Sequence, residues 1–236
     1  MSFRDLVLPA LIAGLIGGLV MSALTLPWAT SLILEAESYE TAMESAGHHH
    51  DGEESLHHDE EWVPQDGMER AFYTVVADVL VGIGYALILG AFMALAGAQG
   101  ALRGLLWGGA GFLVFFLLPA LGLPPELPGT QSAELGVRQA WWLLTVICSA
   151  AGLALLAFGP GWGAKLLGAG LVLLPHLIGA PQPEIHHSAV PHELLQRFWL
   201  ASAVTNLLFW LTLGSVLGRL YARGDSGKPL TREPTA

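Results

Sequence analysis

Six apolar runs, each bounded by glycine, proline or charge, constrain this chain more than any other feature of it. They cover about residues 6–28, 71–96, 102–121, 141–158, 163–180 and 198–220. A run of about 18 or more apolar residues is long enough to cross a bilayer as a helix, and a helix satisfies its own backbone there. Charge is correspondingly scarce. Asp, Glu, Lys and Arg make up 13% of the residues, roughly half of what a soluble domain carries. The expected fold is an all-α polytopic transmembrane helical bundle with six spans and a His/acid-rich outer loop. The fourth and fifth runs are short and separated only by "GPGWGAK". If they form one hairpin that does not fully cross, the count is five.

The first run, "LVLPALIAGLIGGLVMSALTLPWA", is read as an uncleaved helix. Arg4 ahead of it is followed by Asp5, and the run exceeds a usual signal-peptide core. Gly14, Gly17, Gly18 and the glycines of "LLWGGAGF" either admit a neighbouring helix closely or are ordinary membrane-helix glycine. By composition the chain divides into four parts. Residues 1–34 are the first span and its outer end, and 35–70 the outer loop. Residues 71–220 hold five further spans, and 221–236 form a disordered cytoplasmic tail.

Lys and Arg placement sets the orientation of such a chain. With six spans and the N-terminus inside, the inner side holds Arg4, Arg103, Lys165, Arg219, Arg223, Lys228 and Arg232. The outer side holds Arg70, Arg138 and Arg197. Sixteen of the twenty acidic residues then fall in outer loops, together with every histidine except His176. Nucleic acid is not an expected partner, because no basic patch with interleaved aromatics is present. The single cysteine, Cys148, lies inside an apolar run and reads as a small buried residue.

The outer side therefore collects the chemistry. Residues 47–61 read "GHHHDGEESLHHDEE" and carry His48, His49, His50, His57 and His58 among six acids. Neutral imidazole offers a lone pair to borderline metals such as Co²⁺, Ni²⁺, Zn²⁺ or Cu²⁺, and the carboxylates add attraction for cations. The spacing is loose, so the tract is either a weak metal collector or a solvated hydrophilic loop. A second cluster, "PHLIGAPQPEIHHSAVPHE", holds His176, His186, His187 and His192. Pro175 lacks a backbone N–H, so it is expected to break the helix there and free the Leu171 carbonyl beside His176. Asp78 lies inside the second span and is expected to face the bundle interior, where intramembrane acids mark pathways. Asn206 is placed to join it, or to act as interhelical glue.

In "PALGLPPELPGTQSAELGVRQAWW", Pro119, Pro124, Pro125 and Pro128 with Gly122 and Gly129 are expected to make a stiff, non-helical entry that holds Glu126. Glu126 either orders cations at a mouth or pairs with Arg138. Trp141 and Trp142 fit an outer interfacial anchor. Glu35, Glu37 and Glu40, just past the first span, are expected to line the mouth with Glu126.

Five segments then occur in a telling order: "LEAESYE" at 34–40, "LPPELPG" at 123–129, "RQAWW" at 138–142, "PHLIGAP" at 175–181 and "LFWLTLG" at 208–214. Over about residues 4–223 the chain resembles the CbtA family, proposed cobalt transporter subunits. The resemblance implies an association with cobalamin biosynthesis and a small one-span partner, CbtB, with a histidine-rich motif. It also implies five spans, against the six counted here. The polyhistidine tract is not among the shared motifs and draws no role from the family.

The expected function is transmembrane movement of a divalent transition metal, cobalt first, into the cytoplasm. The outer loop gathers ions, the glutamates line the mouth, and His176 and Asp78 provide weak intramembrane steps. The metal is cargo; no tightly bound cofactor is expected. There is no G-x-x-x-x-G-K-[ST] loop and no nucleophile–base arrangement, so the chain is not expected to be an enzyme. The other reading is an extracytoplasmic metal-binding or sensing subunit with no transport of its own.

Overall fold

A computed structural model of the protein describes residues 3–47, 64–183 and 188–226. The described residues are helical and contain no strand; one isolated antiparallel bridge joins Thr130 and Ser188. Helix α1 (Phe3–Leu24) runs through a π-helical turn (Thr25–Ala29) into α2 (Thr30–Gly47). Helix α3 is Met68–Leu95. Helix α4 (Ala101–Phe112) passes through a second π turn (Leu113–Leu117) into the short α5 (Leu118–Ala120). Then follow α6 (Leu135–Phe158), α7 (Gly161–Ile178) and α8 (His192–Ser226).

Six of the described helical stretches, of 18 to 40 residues, are long and apolar enough to cross a membrane. The six-run reading of the sequence is thus met by six such helices. The short fourth and fifth runs become two separate helices of 24 and 18 residues. Their joint is closed locally. Lys165 donates its ammonium to the Leu156 carbonyl, and the Gly159 N–H reaches the Leu155 carbonyl at 2.9 Å.

Both π turns have a proline at hand. Pro27 lies inside the first, and Pro119 follows the second by two residues. Proline removes one i→i−4 bond and crowds the preceding turn, and a wider turn absorbs both effects without ending the helix. At the first turn, the N–H and the hydroxyl of Thr30 both go to the Thr25 carbonyl, five residues back. Helix α2 then carries on well beyond the apolar run. Its sequence "TSLILEAESYETAMESAG" is rich in Ala, Glu, Leu and Met, which favour helix whatever the solvent. Glu35, Glu37 and Glu40 are therefore helical, where the sequence placed them at the start of a loop. The core of the His/acid-rich loop, residues 48–63, lies outside the described residues. So does most of the C-terminal tail, although α8 itself reaches Ser226.

The chain divides into two compact units. The first comprises Met1–Ser22, Val75–Phe112 and Leu207–Ala236. It is built on glycine contacts, as membrane helices allow. A Cβ on Gly14 or Gly18 would collide with the α3 backbone at Ile83 and Val79, and one on Gly82 with the Gly14 carbonyl. Helices α4 and α8 meet the same way, Gly104 and Gly108 against Gly214, Gly218 and the Trp210 carbonyl. The approach is close enough for a direct backbone bond just ahead of α4, Gly100 N–H to the Gly218 carbonyl of α8 at 2.8 Å. Phe209, Trp210, Leu213 and Leu217 fill the interior, with Tyr85 against Trp210 at 4.9 Å between ring centroids.

The second unit comprises Ala23–Thr74 and Leu113–Asn206. Its core joins Ala29, Leu32 and Ala36 of the α1–α2 stretch, Leu127 of the proline-rich loop, and Val190, Leu194, Phe198 and Ala201 of α8 and the residues before it. Helices α6 and α7 pack through Gly152 and Gly168, where a Cβ on either would stand 2.7 Å from the other's carbonyl. Cys148 is buried in α6.

Candidate functional site

The proline-rich loop is the structural centre of the second unit. Leu127 drops into the apolar core beneath it. Gly129 turns the chain with φ 78°, a conformation that a residue with a Cβ enters only at a cost. Both its backbone groups are used: the N–H goes to Glu40 Oε1 at 3.2 Å, and the carbonyl accepts from Ala189 N–H at 3.2 Å. Glu126 accepts from the Arg138 guanidinium at 2.7 Å and from the Ser132 hydroxyl. Pro125 and Pro128 are half-buried and Pro124 is exposed; lacking N–H groups, they leave few backbone donors to satisfy.

Glu37 makes a bidentate pair with Arg70, at 2.7 and 3.3 Å, and Asp66 meets one of the same guanidinium nitrogens at 3.1 Å. This ties α2 to the start of α3. The three α2 glutamates therefore differ. Glu37 is held by a guanidinium, Glu40 caps the proline-rich loop, and Glu35 is exposed. Of the two readings of Glu126, the pairing with Arg138 is the one present.

Trp141 is not an interfacial anchor. It is 6% exposed, and its indole N–H donates to the Pro175 carbonyl at 3.3 Å. Its ring meets the His176 imidazole edge-on at 5.9 Å, and Gly122 leaves room for it on another side. An aromatic with a polar N–H is stable in a core once that N–H has an acceptor, and Pro175 supplies one. Trp142 is half-buried, tilted against Phe115, and lines a cavity of about 340 Å³ with Pro119, Pro125 and Arg138.

Helix α7 does not break at Pro175. It runs on to Ile178 and ends at Gly179, whose φ is 89°. The proline ring is buried, and its carbonyl accepts from both Gly179 N–H and Trp141. The proline removes only the bond to the Leu171 carbonyl in the turn before it, and the two donors to its own carbonyl hold the last turn in place. His176 is half-buried, and its Nε2 is a buried atom without a hydrogen-bond partner.

In the first unit, Asp78 meets a residue that the sequence reading overlooked. Ser22 of α1 is 3% exposed and lies 2.8 Å from Asp78 Oδ2. The signal was available in principle. A carboxyl in an apolar span needs a hydrogen-bonding neighbour, and Ser22 is one helical turn from Gly18, where α1 is thinnest. Asn206, proposed as a companion of Asp78, donates to the Ser202 carbonyl of its own helix at 3.0 Å.

Among the described residues no three His, Cys, Asp or Glu side chains come together as a metal-holding group. His48, His49, His50, His57, His58, His186 and His187 lie outside the described residues. What the geometry does bring together is sequence motifs. "LEAESYE" meets "LPPELPG" through Glu40 and Gly129, and "LPPELPG" meets "RQAWW" through Glu126 and Arg138. "RQAWW" meets "PHLIGAP" through Trp141 and Pro175.

The family model of CbtA, described as a probable cobalt transporter subunit, matches residues 3–222. The chain belongs to the CbtA family. Comparison with curated proteins and with solved structures gave no match. As a CbtA chain it is a subunit of a probable cobalt transporter. Four motifs that carried the resemblance form one connected network in its second unit.

Proposed function

We propose that this CbtA chain is the multi-pass subunit that carries a divalent transition metal, cobalt first, across the cell inner membrane into the cytoplasm. The metal would serve cobalamin biosynthesis, and a small one-span subunit of the CbtB type would be its partner. The family match over residues 3–222 is the observation that carries this reading. The six apolar helices are the scaffold such a role requires.

Within that reading the described side chains divide by availability. Glu37 and Glu126 are paired with arginines, so a cation must compete with a guanidinium for them. Glu35 is exposed at the proposed outer end. His176 keeps an unpartnered nitrogen, and Asp78 accepts a single hydrogen bond. Isolated ligands of this kind hold an ion weakly enough to release it, as conduction needs. A potential of 100 mV gives a divalent cation roughly 4.6 kcal/mol of inward drive. No chemical step on a substrate is required, so the chain is read as a transporter and not an enzyme. The polyhistidine tract is an accessory collector.

The test is initial cobalt uptake, normalised to folded protein, in cells lacking other cobalt importers. His176→Ala and Asp78→Asn should each lower uptake severalfold at saturating metal. Unchanged rates in both variants would place the pathway elsewhere, with Glu126 and the α2 glutamates next in line. The description "subunit" also suits a chain that binds metal outside and transports nothing alone. Purified chain in liposomes that binds but never accumulates cobalt would decide for that second reading.

A further inference from the structure

Leu135, Arg138, Gln139 and Trp142 stand at i, i+3, i+4 and i+7, and so share one face of α6. It is not the face that meets α7, which carries Trp141 and Gly152. These four residues form one wall of the cavity of about 340 Å³. The second π turn gives another wall, with Phe115 tilted against Trp142, and the proline-rich loop gives the third. Single π turns inside helices recur at functional sites, because the wider turn re-aims its side chains. Apart from Arg138 and Gln139, the lining is apolar or aromatic.

Arg138 has donors to spare. A guanidinium carries five N–H groups. Among the described residues one bond is made, from Nη2 to Glu126 at 2.7 Å, and Nε is buried without a partner. The side chain is 28% exposed, and its two terminal nitrogens keep further N–H groups to offer. Gln139 is exposed beside it and adds an amide. Glu126 already balances the charge of the guanidinium, so this wall wants hydrogen-bond acceptors more than it wants net negative charge.

Depth completes the description. Helix α6 has 24 residues, about 36 Å in length against a hydrocarbon core of about 30 Å. Arg138 lies in its first turn, and Trp142 about one turn further in. In a bilayer the guanidinium therefore sits at the level of the headgroups, and the apolar lining reaches below it. We propose that this cavity holds one phospholipid, with the upper part of an acyl chain against Phe115 and Trp142 and the phosphodiester accepting from Arg138 and Gln139. Since the phosphodiester is recognised as an acceptor, zwitterionic and anionic phospholipids bind alike. The proposal goes beyond the transport reading and stands whether or not the chain carries cobalt.

Native mass spectrometry of the full chain, delipidated in mild detergent, tests it. Titration with dioleoyl phosphatidylethanolamine or dioleoyl phosphatidylglycerol should load one tightly bound lipid with similar affinity. Dioleoylglycerol, which lacks the phosphate, should bind about tenfold more weakly, and Arg138→Gln should weaken phospholipid by a similar factor. Inorganic phosphate should not displace the lipid. Arg138 also holds Glu126, so Gln139→Trp provides a second variant: it alters an exposed position, fills the cavity with an indole and should abolish the tight lipid in a chain that still folds. Absence of a tight lipid, a lipid that survives Gln139→Trp, or diacylglycerol binding as well as phospholipid overturns the proposal. Displacement by inorganic phosphate, or binding of phosphatidylglycerol alone, overturns it too, because either result would make this a site for anions.

Discussion

Trp141 gives its indole N–H to the Pro175 carbonyl and lays its ring against His176. Its neighbour Trp142 faces a cavity instead. The dipeptide alone does not distinguish the two residues; helix register and the nearby α7 terminus do. Trp141→Phe keeps a ring beside His176 and loses only the donor. Pro175 still accepts from Gly179, so the change should cost about 1 kcal/mol. Trp141→Ala empties a buried site and should cost about 3–5 kcal/mol. Denaturant titration in mixed micelles measures both. Equal losses would mean that the hydrogen bond, and not the ring, holds α7 to α6.

Helix α4 shows what a glycine does by where it faces. Gly108 lies against the Trp210 carbonyl and Leu211, while Gly109 has open space where a side chain would go. Backbone cannot move aside as a flexible side chain can. Gly108→Leu should therefore separate α4 from α8 and abolish the folded protein, and Gly109→Ala should be neutral. The readout is the monodisperse fraction after extraction in mild detergent. Loss in both variants would show that α4 is sensitive to any bulk. The glycines of "LLWGGAGF" were visible in the sequence as candidates for close approach. Which of them face α8 follows from helical register and the position of a second helix. The π turns were not foreseen. Neither Pro27 nor Pro119 was read as a helix fault, and a wider turn, a kink and a break are alternatives that surrounding packing selects. At Pro175 the same residue type left the helix running to Ile178.

For the whole molecule, six described helices are long and apolar enough to cross a membrane. If all six cross, both ends lie on one side, and the Lys and Arg distribution predicts that side to be cytoplasmic. A reporter at residue 52 should be extracytoplasmic, and one at residue 230 cytoplasmic. Reporters found on one common side would mean an odd number of crossings between them has become even, which removes the six-crossing arrangement. The sequence by itself determined the number and type of the long elements, because twenty or so contiguous apolar residues leave the backbone little choice but a helix in lipid. It also determined the family, through motifs that can be read in order. The tertiary structure decided what each polar group does. Glu37, Glu40 and Glu126 read alike as anionic ligands, yet one pairs with Arg70, one caps Gly129 and one pairs with Arg138. Arg138 lies only 12 residues from Glu126, near enough to be one of two readings of the sequence, but the partners of Glu37 and Glu40 lie 33 and 89 residues away. Only the folded geometry brings these within hydrogen-bond reach and decides between the two readings of Glu126.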